Sequence, residues 1–125
     1  MAFEENLILV KKMLKAFEKH DLEKFAEFFD ENAIDYVPSR KEPLIGRNAI
    51  RKDNEEFISS LPDVRFEITN AFGQSNWLCI EGTVSGTYKG SRDHVIRVPT
   101  CMVVKIQENK VKELHEYFDQ SSFQF

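Results

Sequence analysis

The sequence predicts an α+β fold in which three N-terminal helices are followed by an antiparallel sheet. Three observations carry this. Helical periodicity is confined to the first half of the chain. Strand-like alternation and Thr/Val/Ile/aromatic runs fill the second half. The breaks between those runs are short enough for hairpins, which makes neighbouring strands antiparallel and excludes a doubly wound parallel sheet.

The first helix spans residues 3–20, where Phe3, Leu7, Val10, Leu14 and Phe17 recur at three- and four-residue steps between Glu and Lys. His20-Asp21 punctuates. Asp21 suits an N-cap and Glu23 the first turn of a second short helix, which carries Leu22, Phe25, Phe28 and Phe29. "DENA" ends it, and Ala33 to Val37 form a short strand before Pro38. "PSRKEPLIG" is a loop by its two prolines and its glycine. A third helix, about Asn48 to Leu61, places Ile50, Phe57, Ile58 and Leu61 on one side and stops at Pro62-Asp63.

Val64, Phe66 and Ile68 then alternate with Arg65, Glu67 and Thr69 as a half-buried strand, and "FGQSN" is a turn. Trp77 to Tyr88 is a longer strand, with Gly82 and Gly86 where a bend or bulge fits. "KGSRDH" is a hairpin loop. Val95 to Ile106 is the next strand, and Pro99 within it implies an edge or a bulge. "QEN" reverses the chain. In "NKVKELHEYFDQ", Val111, Leu114, His115 and Phe118 have helical spacing. The preceding hairpins nevertheless favour a strand beside residues 95–106. Alternation then puts Leu114, Glu116 and Phe118 on one face and His115, Tyr117 and Asp119 on the other.

Bulk properties narrow the function. One domain, residues 1–125, is the natural reading of this length. A net charge of -4, with no Lys/Arg run longer than two, argues against nucleic acid and against an anionic membrane surface. No apolar run approaches a membrane span. The acids of "MAFEENLILVKKML" precede its apolar stretch, the wrong order for a signal peptide, so a cytoplasmic location is expected. Eleven Phe residues suit an apolar cavity. Cys79 and Cys101 are expected as buried free thiols, with a disulfide as the alternative, although two cysteines do not make a framework. The spacing of His20, His94 and His115 predicts no metal site, and the absence of a glycine-rich phosphate loop predicts no cofactor.

Four stretches in order, "MLKAFEKHDLEKFAEFFDENAIDYVP", "EPLIGRNAI", "IEGTVSGTYKG" and "NKVKELHEYFD", resemble the SnoaL-like branch of the nuclear transport factor 2-like superfamily. The resemblance spans nearly the whole chain. It implies a cone-shaped barrel whose curved sheet wraps three helices around an apolar pocket, often in a dimer. The superfamily includes ketosteroid isomerase, polyketide cyclases, limonene epoxide hydrolase and many binding modules, so the fold alone does not decide function.

The resemblance transfers little chemistry. The positions of the isomerase base, its helix-one Tyr and its second Asp look like Val37, Met13 and Cys101 or Met102. The Arg and second Asp of the epoxide hydrolase look like Gly82 and Val84, and a cyclase pocket His looks like Met102. The acid of the last strand survives, as Glu116. On an apolar strand face, desolvation would raise its pKa toward that of a general acid or base; on a solvated edge strand it would be an ordinary surface acid. Asp35, two residues before Val37, is the second catalytic candidate. His115 and Tyr117 read as surface or interface residues, and Asp119 as a structural carboxylate. Glu81 is expected on the convex side, paired with Arg97 or Lys105.

The expected pocket wall is Phe17, Phe25, Phe29, Tyr36, Val37, Phe57, Met102, Leu114 and Phe118, unless these simply fill a core. Phe123 and Phe125 would cap the cone or a dimer partner. The expected function is cofactor-free acid/base chemistry, of cyclase or isomerase type, on a small hydrophobic carbonyl compound through Glu116. The alternatives are a non-catalytic binding module for a small hydrophobic molecule or a dimerisation domain. A homodimer through the convex face of the sheet is expected in each case.

Overall fold

The computed structural model describes residues 2–90 and 94–123. The tip of the "KGSRDH" loop, the side chain of Phe123 and the whole of Phe125 lie outside the described residues. The elements are α1 (Ala2–Glu18), α2 (Leu22–Glu27), β1 (Phe29–Tyr36), β2 (Leu44–Ile45), α3 (Arg47–Ile58), β3 (Arg65–Gln74), β4 (Trp77–Thr87), β5 (Val95–Gln107) and β6 (Lys110–Tyr117), then a 3-10 turn at Gln120–Phe123. The strands form one six-stranded sheet in the order β2-β1-β6-β5-β4-β3. It is curved and unclosed, with β2 and β3 as its edges. None of the described helices is long and apolar enough to cross a membrane.

The α+β reading holds, with local corrections. Helix α1 closes in a Schellman motif: Asp21 N–H reaches Ala16 O at 2.9 Å, His20 N–H reaches Phe17 O at 3.0 Å, and His20 takes the left-handed φ of 60°. The Asp21 side chain then accepts from Lys24 N–H, capping α2. Phe29 is not on α2. It opens β1, with its carbonyl taking two hydrogen bonds from Arg47, at 3.0 and 2.7 Å. Strand β3 runs through "FGQ", so the expected five-residue turn shrinks to Ser75-Asn76, where Ser75 has φ 57°.

Four features of the sheet stand out. Strand β1 pairs in parallel with β6, Asp35 beside Leu114 and Tyr36 beside His115. The two strands are far apart in the chain, and local sequence pattern does not predict their contact. Strand β6 is antiparallel to β5, with Glu116 opposite Met102. Its turn is carried by Glu108 and Asn109, both at positive φ, the two-residue reversal that matches strand twist. The bulge expected near Gly82 is on the partner strand: Ile68 pairs with Gly82 and Asn70 with Glu81, leaving Thr69 extra. Pro99 lies where β5 extends past β6 and has only β4 beside it, so the edge is local.

The core lies between the concave face of the sheet and the helices. Val10, Met13 and Phe17 of α1, Phe25 of α2 and Ile50 and Ile58 of α3 pack against Leu78, Ile80, Val98, Val104 and Val111. Glu18 fastens α1 to the sheet by accepting from Phe66 N–H at 2.8 Å.

Candidate functional site

Alternation along β6 turns Leu114, Glu116 and Phe118 toward the helices. These side chains form one wall of a cavity of about 410 Å³. Met102 and Thr100 of β5 continue it, and Met13, Leu14, Phe17, Phe25 and Phe57 close it from the helices. Phe17 stacks on Phe57 at 6.5 Å and tilts against Phe25 at 5.9 Å, so the helical wall is largely aromatic. Ser39 and Gln120, both exposed, border the cavity and hydrogen-bond to each other at 3.0 Å.

Behind this wall lies Asp35, with none of its surface exposed. Its register beside Leu114 brings it to the Glu116 carboxyl. Among the described residues no donor reaches either Asp35 oxygen in the ionised state, so a proton shared with Glu116 is its means of pairing. The nearest cation is Arg40. The Arg40 N–H to Val37 O bond, 2.9 Å, folds the loop after β1 back over the strand. Its Nη1 then lies 3.8 Å from Asp35 Oδ2, while its Nη2 donates to Asp53 Oδ2 at 2.7 Å.

Two carboxyls in one apolar place cannot both ionise cheaply. Burial, the Asp35 charge and the hydrogen bond with Asp35 hold the Glu116 carboxyl well above the usual carboxylate range; Arg40 opposes this only in part. Burial raises Asp35 as well, and the hydrogen bond from Glu116 and the Arg40 charge offset only part of that rise. Glu116 is raised the further of the two, so the coupled pair keeps a proton to higher pH than a free carboxyl would.

Of the residues expected at the pocket, Phe17, Phe25, Val37, Phe57, Met102, Leu114, Phe118 and Glu116 line the cavity. Two expected wall residues do not. Phe29 is fully buried off the cavity, its ring 5.1 Å from Phe25, and a register shift in β1 separates it from Ile34 and Asp35. Tyr36 faces the other side of the sheet and stacks on His115 at 4.5 Å, because its neighbour Asp35 takes the inward position. Asp35 itself touches Glu116 and not the cavity.

Arg40, Asp53, Asn54, Ser39 and Gln120 line the cavity without having been anticipated. A signal existed for two of them: Asp53 and Asn54 sit three and four residues after Ile50 and before Phe57, a polar break in an apolar helical stripe. Arg40 sits in a stretch read only as loop. Elsewhere, exposed Glu81 accepts from Asn70 at 2.8 Å, and Lys105 pairs with Glu113 at 3.6 Å, so the expected Glu81 pairing to Arg97 or Lys105 is replaced. Asp119 accepts from Ser121 N–H and Oγ, starting the final turn. Cys79 and Cys101 are free but only half-buried, since both lie on the convex face of the sheet.

A family model described as a SnoaL-like domain matches residues 10–114. Similar solved structures include a protein of ketosteroid isomerase-like fold from Catenulispora acidiphila, in complex with trimethylamine, with TM-score 0.81 and 18% identity over 91% of this chain and 87% of that one. A provisionally assigned SnoaL-like polyketide cyclase from Jannaschia has TM-score 0.81 and 12% identity over 93% and 86% of the two chains. A provisionally assigned isomerase from Bacillus subtilis has TM-score 0.83 and 16% identity over 98% and 91%. At these identities the likeness is one of fold. No curated protein sequence matches the chain.

Proposed function

The chain belongs to the SnoaL-like domain family, and on that premise we propose that it is a cofactor-free enzyme that enolises a small hydrophobic carbonyl compound, as an isomerase or cyclase. The observation that carries this reading is the pairing of buried Asp35 with half-buried Glu116 at the wall of an apolar cavity. Glu116 rests as the acid and can hydrogen-bond the substrate carbonyl oxygen, which makes it the oxyanion donor. Passing its proton to that oxygen leaves a carboxylate. That carboxylate takes a proton from the adjacent carbon, the carbonyl compound becomes its enol, and Glu116 regains its acid form. Asp35 does not reach the cavity, so its part is that of a positioning residue that loads the proton onto Glu116. Arg40 offsets the charge of the pair as the proton moves. The aromatic walls hold the apolar body of the substrate.

The test is solvent deuterium exchange at the carbon next to the carbonyl in a panel of cyclic and aryl ketones, followed by NMR. Saturable exchange that is lost in Glu116→Gln supports the proposal. Binding without exchange above background in the wild type would overturn it.

A second reading is a binding module without chemistry. Among the described residues lining the cavity, Arg40 is the cation, against the Asp53 carboxylate and the one negative charge that the Asp35–Glu116 pair carries while it holds its proton. Such a site favours a neutral or cationic guest over an anion, and hydrophobic amines are its natural probes. Calorimetric titration with alkylamines and with matching carboxylates distinguishes the cases: equal affinity for both would discard the electrostatic argument. In either reading we infer a homodimer through the convex face, where Tyr36, Phe72, Trp77 and Tyr117 are exposed. A monomeric mass by light scattering at high concentration would refute that.

A further inference from the structure

The convex face carries a feature that neither reading uses. Cys79 on β4 is opposite Val103, and Cys101 on β5 is opposite Glu81, so the two cysteines are diagonal cross-strand neighbours. Their sulfurs lie 3.7 Å apart. Both side chains are half-buried, and both belong to the middle of the sheet, where β4 and β5 pair without interruption from Trp77–Lys105 to Thr87–Val95. The backbone therefore holds the sulfurs together. Side-chain rotation has to close only the distance from contact to a bond of about 2 Å.

We propose that Cys79 and Cys101 are an oxidative modification site, at which a peroxide converts the dithiol to an intrachain disulfide joining β4 to β5. In the first step one thiol attacks the peroxide, its sulfur is oxidised to sulfenic acid, the O–O bond breaks and water leaves. In the second step the other thiol attacks that sulfur, the S–S bond forms and a second water leaves. The peroxide is the oxidant for the two electrons lost by the pair. A thiol reductant reverses the bond.

The surroundings slow the first step. Burial, the Cys101 sulfur and the charge of Glu81 push the Cys79 thiol up to about 11, so little of it is thiolate at neutral pH. The nearness of the second sulfur nevertheless makes the closing step intramolecular, and the cross-link outruns further oxidation of the sulfenic acid. A second copy packed over this face would slow peroxide entry, but it would not separate two sulfurs that share one chain.

The experiment treats the reduced full-length protein with hydrogen peroxide, then blocks remaining thiols with iodoacetamide and measures intact and peptide masses. The expected result is loss of two hydrogens, joint protection of both cysteines, a linked pair of peptides containing residues 79 and 101, and restoration by dithiothreitol. Cys79→Ser and Cys101→Ser each remove the linked peptides and leave the remaining thiol to gain oxygen or form interchain dimers. Independent gain of oxygen by each cysteine in the wild type, or cross-linking only between chains, would overturn the proposal.

Discussion

Arg40 Nη1 stands 3.8 Å from Asp35 Oδ2, close enough for strong attraction and too far for a hydrogen bond. The same guanidinium is anchored at 2.7 Å by Asp53, which is partly exposed. A half-solvated anchor thus holds a cation over a buried carboxylate.

Removing that cation should move the proton balance. Arg40 favours the ionised form of both Asp35 and Glu116. In Arg40→Gln both carboxyls should titrate at higher pH, Asp35 the more because it is nearer. Arg40→Lys should recover part of the effect. Carboxyl-carbon NMR of the two side chains reads this directly, and unchanged titrations would exclude Arg40 from the pair.

Glu116→Gln should change how stability depends on pH. The Glu116 carboxyl is raised in the folded protein, so between its unfolded and folded pKa values the native state binds more protons than the unfolded chain. Its contribution to stability is present at low pH and is lost as pH rises through that interval. Glutamine mimics the protonated acid and cannot lose a proton. Urea unfolding should therefore show a smaller fall in stability between acid and neutral pH for the variant, with any activity lost.

Phe29→Ala and Phe57→Ala should separate core from site. Phe29 is fully buried outside the cavity, so its truncation should cost about 3–5 kcal/mol in stability. Phe57 is half-buried on the cavity wall, so its truncation should cost less in stability and more in ligand affinity. Denaturant unfolding and calorimetric binding measure the two effects.

Gly82→Ala should destabilise by about 1–3 kcal/mol or more, because an added Cβ would overlap the Glu67 carbonyl and the Phe66 ring beside the bulge. Thermal unfolding tests this. A variant as stable as the wild type would mean that β3 can move away from β4 at no cost.

The sequence by itself determined the elements and their faces. Apolar residues at three- and four-residue steps made helices of α1 and α3. Period-two alternation put Glu116 on the face of Leu114 and Phe118, since successive strand side chains point to opposite sides. Short polar turns made the β3–β6 meander antiparallel. The tertiary structure decided what Glu116 meets there. The parallel pairing of β1 with β6 joins residues about eighty positions apart, and nothing local in either segment encodes it. That pairing buries Asp35 against Glu116, and the Arg40 loop, unpatterned in sequence, supplies the cation. The same long-range packing removed Phe29 and Tyr36 from the wall. Local periodicity fixes which way a side chain points, but the free energy of a buried charge depends on every group that surrounds it, and those groups come from the whole chain.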